Sequence, residues 1–255
     1  MELADGKNRQ LQGRHARGEP GVTRLLASVT SAEEAMIALE AGADIIDLKN
    51  PAQGTLGALP LDVIRAIVKV VDGRRPVSAT IGDLPVQPSL LAGRVAETAS
   101  TGVDIIKVGF FGNTGHQEAV RALTPLVAMG ACIVAVLFAD HRPDMKLLPL
   151  LENAGFYGVM LDTENKNGGR LTDYLGLDAL HDFVIASRSK RMQVGLAGSL
   201  MESDIASLSL LKPDYLGFRG ALCANHERKA MLDRTHLESV QSMLRECNKL
   251  AVDAH

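Results

Sequence analysis

Two stretches of this chain decide its fold: AGADIIDLKN, residues Ala41–Asn50, and TGVDIIKVGF, residues Thr101–Phe110, which begin 60 positions apart. Both carry Gly-x-Asp-Ile-Ile, a turn glycine and a polar step leading into a short β-branched run of the kind that fills a buried strand. Both then set a lysine where such a strand can least accommodate one, Lys49 just before Asn-Pro and Lys107 between apolar neighbours. An echo at this spacing matches two strand-helix units, so the chain reads as a repeated βα fold.

Working outward, similar runs recur at LLASV (25), DIIDLK (44), VSATIG (77), VDIIKVG (103), CIVAVLFAD (132), YGVMLD (157), QVGLAG (193) and YLGFRG (215). The segments between them read as helices. SAEEAMIALEAG opens with a Ser cap and a Glu three residues on, and PLDVIRAIVKVVDG runs from a helix-starting Pro to a closing Gly. Near-continuously apolar strands alternating with helices imply a parallel sheet covered on both faces. Eight such units predict an α/β fold of the (β/α)₈ TIM-barrel type, a single domain over residues 23–255. The competing architecture is a doubly wound open sheet, whose dinucleotide-binding version is weakened because no G-x-G-x-x-G follows the first strand. Residues 1–22 are polar, rich in Gly and Arg and without apolar period; they read as a flexible extension, either a solvated tail or an arm for an anionic partner.

A hydrophobic fraction of 46% with 24 glycines suits a well-buried α/β domain, and a net charge of -3 argues against a nucleic-acid partner. Cys132, Cys223 and Cys247 are odd in number and widely spaced, which predicts reduced thiols rather than a disulfide framework. No apolar run reaches the roughly 20 residues that span a bilayer, and no signal-like segment opens the chain. The expectation is therefore a cytoplasmic protein without membrane contact, and a homo-oligomer.

Barrel sites lie at the C-terminal ends of the strands. Those ends offer Ser28, Lys49, Asp83, Lys107, Asp140, Asp162, Ser199 and Arg219. Strand alternation puts Lys49 on one face with Asp47 and Ile45, and Lys107 inside an apolar run. A buried ammonium needs a carboxylate or a task; Asp47, Asp83 and Asp162 are the candidate partners. Two explanations stand: a structural ion-pair network, or an amine whose pKa is lowered by burial and a neighbouring ammonium so that it can attack a carbonyl. In MLDTENKNGG, Asp162 could relay protons, while Lys166 is either a mobile cation over the mouth or a solvated loop residue. GLAGSL and GFRG follow strands seven and eight, where barrels often bind phosphate, and predict an anion cradle at Gly198, Ser199 and Gly220 with Arg219 as its cation. The seven histidines show no HxH or HExxH spacing, and neither metal nor cofactor is expected.

From Leu25 to about Cys247 the chain resembles the (5-formylfuran-3-yl)methyl phosphate synthase family of methanofuran biosynthesis, also called 4-(hydroxymethyl)-2-furancarboxaldehyde-phosphate synthase. The segments GADIIDLKNPAQGTLGA, DIIKVG, LDTENKNGGRLTDYL, GLAGSL and GFRGALC carry the resemblance. It implies a barrel lyase that condenses two molecules of glyceraldehyde 3-phosphate into a phosphorylated furan aldehyde with loss of phosphate and water. It also implies Lys49 as the Schiff-base lysine, Lys107 as proton acceptor, and Asp162 and Lys166 as further site residues. The alternatives are a class I aldolase-like barrel acting on another sugar phosphate, or a non-catalytic barrel that binds a phosphorylated metabolite.

Overall fold

The computed structural model describes residues 21–253, so most of the expected extension, residues 1–20, lies outside the described residues. The rest is one closed barrel in which each strand pairs in parallel with its neighbours in chain order and the last closes on the first. The strands are β1 (Arg24–Val29), β2 (Ile45–Leu48), β3 (Val77–Thr80), β4 (Ile105–Gly109), β5 (Ile133–Phe138), β6 (Gly158–Asp162), β7 (Gln193–Leu196) and β8 (Tyr215–Phe218). All eight sequence-predicted strands are present, and the open doubly wound sheet is excluded by the β1–β8 pairing.

The outer helices are α1 (Ala32–Glu40), α2 (Leu61–Val71), α3 (Pro88–Ala99), α4 (His116–Ala128), α5 (Leu147–Asn153), α6 (Leu177–Ser189), α7 (Ile205–Ser209) and α8 (Arg234–Asp253). Ser31 caps α1 as its sequence predicts, accepting from the Glu34 N–H at 3.1 Å. In α2, Ile64, Ile67 and Val71 fall at helical spacing and are the face that is buried against the sheet. Each such side chain contributes about 1.5–3 kcal/mol by leaving water. Together these faces form the larger apolar core, between sheet and helices.

Inside the barrel the bottom is a separate apolar plug that includes Leu26, Ile45, Ile105, Val134, Met160 and Tyr215. Gly195 makes room for it: a Cβ there would lie 2.1 Å from the Tyr215 ring, so only glycine lets that ring cross the interior. Above the plug the inward positions turn polar, with Ser28 opposite Asp47, Asp47 opposite Ser78, and Thr80 opposite Lys107 in the strand register. The sheet thus lifts every strand-end functional group toward one mouth.

Candidate active site

Asp47 is the deepest charged group, with no exposed surface. It accepts from Ser28 Oγ at 2.9 Å and Ser78 Oγ at 2.6 Å, and Lys107 Nζ lies 2.6 Å from its Oδ1. Burial works to raise the Asp47 pKa, but Lys107, Lys49 and the hydrogen bonds outweigh it and hold the carboxyl below its ordinary value. Lys107 is only 2% exposed, so this is a buried ion pair rather than a strand end meeting water.

One layer up, Asp162 takes the Lys166 ammonium at short range and the Thr163 N–H at 2.8 Å. Burial again pushes the carboxyl upward, and Lys166 and Lys49 overcome it, so Asp162 also stays ionised below its ordinary pKa. Lys166 pairs with Asp162, its side chain 11% exposed, rather than extending into solvent. The i, i+4 spacing of the two residues, bent by the turn between them, makes that contact.

Lys49 differs from both. It follows β2, is 7% exposed, and makes no side-chain hydrogen bond or ion pair with any described residue. Burial lowers its pKa to about 8, with Asp162 and Asp47 working upward and Lys166 and Lys107 adding to the fall. Two lysines thus hold carboxylates while the third is left without one, its amine brought toward neutrality by burial. Lys49, Asp162 and Lys166 share a cleft of about 280 Å³ with Gly198, Ser199 and Gly220. Of the residues named from the sequence, Arg219 also lines this cleft, whereas Lys107 and Asp47 lie one layer beneath it.

The anion cradle is partly as expected. Gly198 has φ +119, and a Cβ there would lie 2.9 Å from Thr163 Cγ2, so the backbone passes the cleft at a distance only glycine permits. Ser199 follows with φ +50. Arg219 is the correction. Its Nη1 and Nη2 donate to Glu34 at 2.6 and 3.1 Å, and the same nitrogens reach the carbonyls of Ser28 and Ala230 at 3.1 and 2.7 Å. Its Nε donates to the Arg228 carbonyl at 2.8 Å. Every nitrogen of the fork already holds an acceptor on the wall side, because a buried guanidinium and a buried Glu34 neutralise each other.

Asp83, a candidate lysine partner, is spent on backbone N–H groups instead, as is the strand-end Asp140. Asp83 accepts the Thr55 and Leu56 N–H groups at 2.7 and 2.6 Å, and Asp140 accepts those of Glu164 and Asn165, the latter at 2.8 Å. Each fastens the backbone of a neighbouring mouth loop. The Thr55 hydroxyl, donating to the Glu164 carbonyl at 2.6 Å, joins the two loops across the mouth.

Among the cleft residues that the sequence expectations did not assign to the site are His226 and Arg228, both on the loop after β8. His226 stacks on His236 with ring centroids 4.7 Å apart. Arg228 reaches the Gly54 carbonyl at 3.0 Å. The loop has no periodicity to flag them. No group of three or more side chains suited to a metal ion occurs among the described residues, and no helix there is long and apolar enough to cross a membrane.

Against known proteins, the family model for 4-HFC-P synthase matches residues 25–241. A relative from Methylorubrum extorquens is 42% identical over 86% of this chain and 91% of its own. The (5-formylfuran-3-yl)methyl phosphate synthase of Methanopyrus kandleri is 38% identical over 84% of this chain and 95% of its own. Among solved structures, thiamine phosphate pyrophosphorylase from Pyrococcus furiosus (TM-score 0.60, 14% identity, 89% of this chain and 98% of that one) shares the fold. So does a 3-hexulose-6-phosphate synthase, with TM-score 0.57 and 17% identity over 87% of this chain and 99% of that one.

Proposed function

This chain belongs to the 4-HFC-P synthase family, and from that membership and the unpaired amine of Lys49 we propose that it condenses two molecules of glyceraldehyde 3-phosphate to 4-(hydroxymethyl)-2-furancarboxaldehyde phosphate, a lyase step of methanofuran-type biosynthesis. The observation that carries the mechanism is the contrast among three lysines: Lys107 on Asp47, Lys166 on Asp162, and Lys49 on neither.

The free amine of Lys49 attacks the aldehyde carbon of one triose, and loss of water leaves an iminium on that nitrogen. The positive iminium takes electrons from the neighbouring carbon, whose proton becomes acidic. Asp162, ionised beside Lys49, is the base in reach of that side of the cleft, and Lys166 neutralises the charge it carries before transfer. Lys107, the proton acceptor that the family resemblance implies, is paired with Asp47 at 2.6 Å beneath the site, and we assign the two together to that role. The resulting enamine expels the phosphate from the next carbon and leaves an unsaturated iminium. C2 of the second triose, as its enol, bonds to that carbon, closure of the ring oxygen onto the second aldehyde with loss of two waters forms the furan, and hydrolysis of the iminium frees Lys49. Two trioses less one phosphate and two waters balance to the furan aldehyde, with no oxidant required. The Gly198, Ser199 and Gly220 backbone would hold the retained phosphate.

Incubation with glyceraldehyde 3-phosphate alone tests this. Expected are a conjugated-aldehyde absorbance and phosphate released in equal amount. Triose consumption without either signal, or cleavage of larger sugar phosphates instead, would replace the synthase with an aldolase-like activity.

A further inference from the structure

With the fork of Arg219 spent on Glu34 and backbone carbonyls, the cleft keeps a second arginine, Arg228, that forms no ion pair with any described residue. Arg228 packs next to Gly220, where an added Cβ would stand 3.9 Å from Arg228 Cβ. Its Nη2 donates to the Gly54 carbonyl at 3.0 Å, while its Nε and Nη1 have no acceptor among the described residues. Partial burial lowers its pKa and Arg219 adds to the fall, while Asp162 and Asp83 work upward without forming an ion pair with it. The carboxylates on this side are already taken: Asp162 by Lys166, and Glu34 by Arg219. Lys49 and Arg228 therefore stand in one cleft without an ion-pair partner, placed to attract an anionic ligand. A planar fork with two nitrogens free of acceptors suits an oxyanion with two or more oxygens.

We propose that Arg228, in place of Arg219, is the cation of a phosphate subsite built with the backbone of Gly198, Ser199 and Gly220, and that its bond to Gly54 ties the bound phosphate to the loop that follows Lys49. The reading of that phosphate as part of a triose rests on the proposed function; the subsite itself does not. A phosphate drawn to Arg228 bridges the β8 loop and the Gly54 loop, and so fixes the carbonyl end of the same molecule relative to Lys49. Non-phosphorylated aldehydes lack that bridge.

The test uses inorganic phosphate and the full chain. Calorimetric titration of wild type should show binding, Arg228→Gln should weaken it at least tenfold, and Arg228→Lys should fall between, since a point charge replaces the fork. Thermal midpoints in phosphate-free buffer should stay within a few degrees, separating ligand binding from a loop support. Equal affinity in folded Arg228→Gln overturns the proposal, and so does a wild type that does not bind phosphate. If Arg228→Gln does not fold, Arg228→Lys decides alone, and unchanged affinity there overturns it. Phosphate binding lost with Arg228, in a wild type that makes no furan from triose phosphate, would keep the subsite and remove the synthase reading.

Discussion

Lys107 Nζ and Asp47 Oδ1 lie 2.6 Å apart at the centre of the barrel, with side-chain exposures of 3% and 0%. Taking away one member leaves the other charged in a place water does not reach. Asp47→Asn should therefore destabilise the fold by about 3–5 kcal/mol. Ser78→Ala, which removes one neutral donor, should cost only about 1–2 kcal/mol. Denaturant unfolding of the two variants checks the ranking; similar losses would mean the pair is open to water.

Lys49→Arg keeps a positive charge and most of the packing but cannot supply a free amine, since a guanidinium stays protonated. Turnover should drop by a factor of about 10³ or more, as expected when a covalent nucleophile is removed. Borohydride added during turnover should fix a triose-derived mass to Lys49 of wild type. An adduct found only on Lys107 or Lys166 would reassign the nucleophile.

The depressed Lys49 pKa sets two opposite pH trends. Attack needs the neutral amine, so imine formation should rise with pH through an inflection near 8 and level off above it. The unfolded chain, with an ordinary lysine pKa of 10.5, binds more protons than the folded one between about 8 and 10.5, so this residue's contribution to stability improves as pH rises through that window. Below it the folded state carries the full cost of a buried ammonium, on the order of 3 kcal/mol at most. Lys49→Met should accordingly be inactive yet more stable than wild type at pH 7, with the gain shrinking by pH 10. A less stable Met variant at pH 7 would contradict the unpaired placement.

The two cradle glycines should respond differently. A Cβ on Gly220 would make only ordinary contacts, 3.4 Å from the His226 carbonyl and 3.9 Å from Arg228 Cβ. Gly220→Ala should raise KM for the phosphorylated substrate several-fold at nearly unchanged Tm. Gly198→Val meets a left-handed backbone and the Thr163 main chain 3.1 Å away, so it should lower Tm as well. Gly220→Ala with wild-type KM would move the phosphate elsewhere.

Glu34→Gln should act on stability alone, by about 3–5 kcal/mol, because it leaves Arg219 buried without its counter-charge. KM measured well below the melting range should match wild type. A large KM change would restore Arg219 to direct phosphate binding.

The eight strands were legible because parallel strands buried on both faces are nearly pure apolar runs, and Lys49, Lys107 and Asp162 stood out against that background. What each lysine touches was less legible. Asp47 shares a strand face with Lys49 but bonds Lys107 through the strand register, a relation that needs β3 and β4 in place. Arg219 had the right type and position for a phosphate ligand, yet its direction is set by a glutamate 185 residues earlier that looks like half of a helix cap. The Glu34 carboxylate instead accepts from the Thr30 N–H at 2.7 Å and the Leu232 N–H at 3.1 Å as well as from Arg219. Arg228 lay in an irregular loop where pattern says nothing, and only Arg219's withdrawal makes it conspicuous.

That Glu34–Arg219 staple also bears on how the polypeptide assembles as it emerges from the ribosome. The first helix cannot neutralise its buried carboxylate, and β1 cannot find its second neighbour, until β8 and the residues after it have been made. Contacts this distant in sequence are slow to form, so nascent chains ending before Tyr215 should remain open, protease-sensitive intermediates with an unpaired β1 edge, and release of the last forty residues should close them.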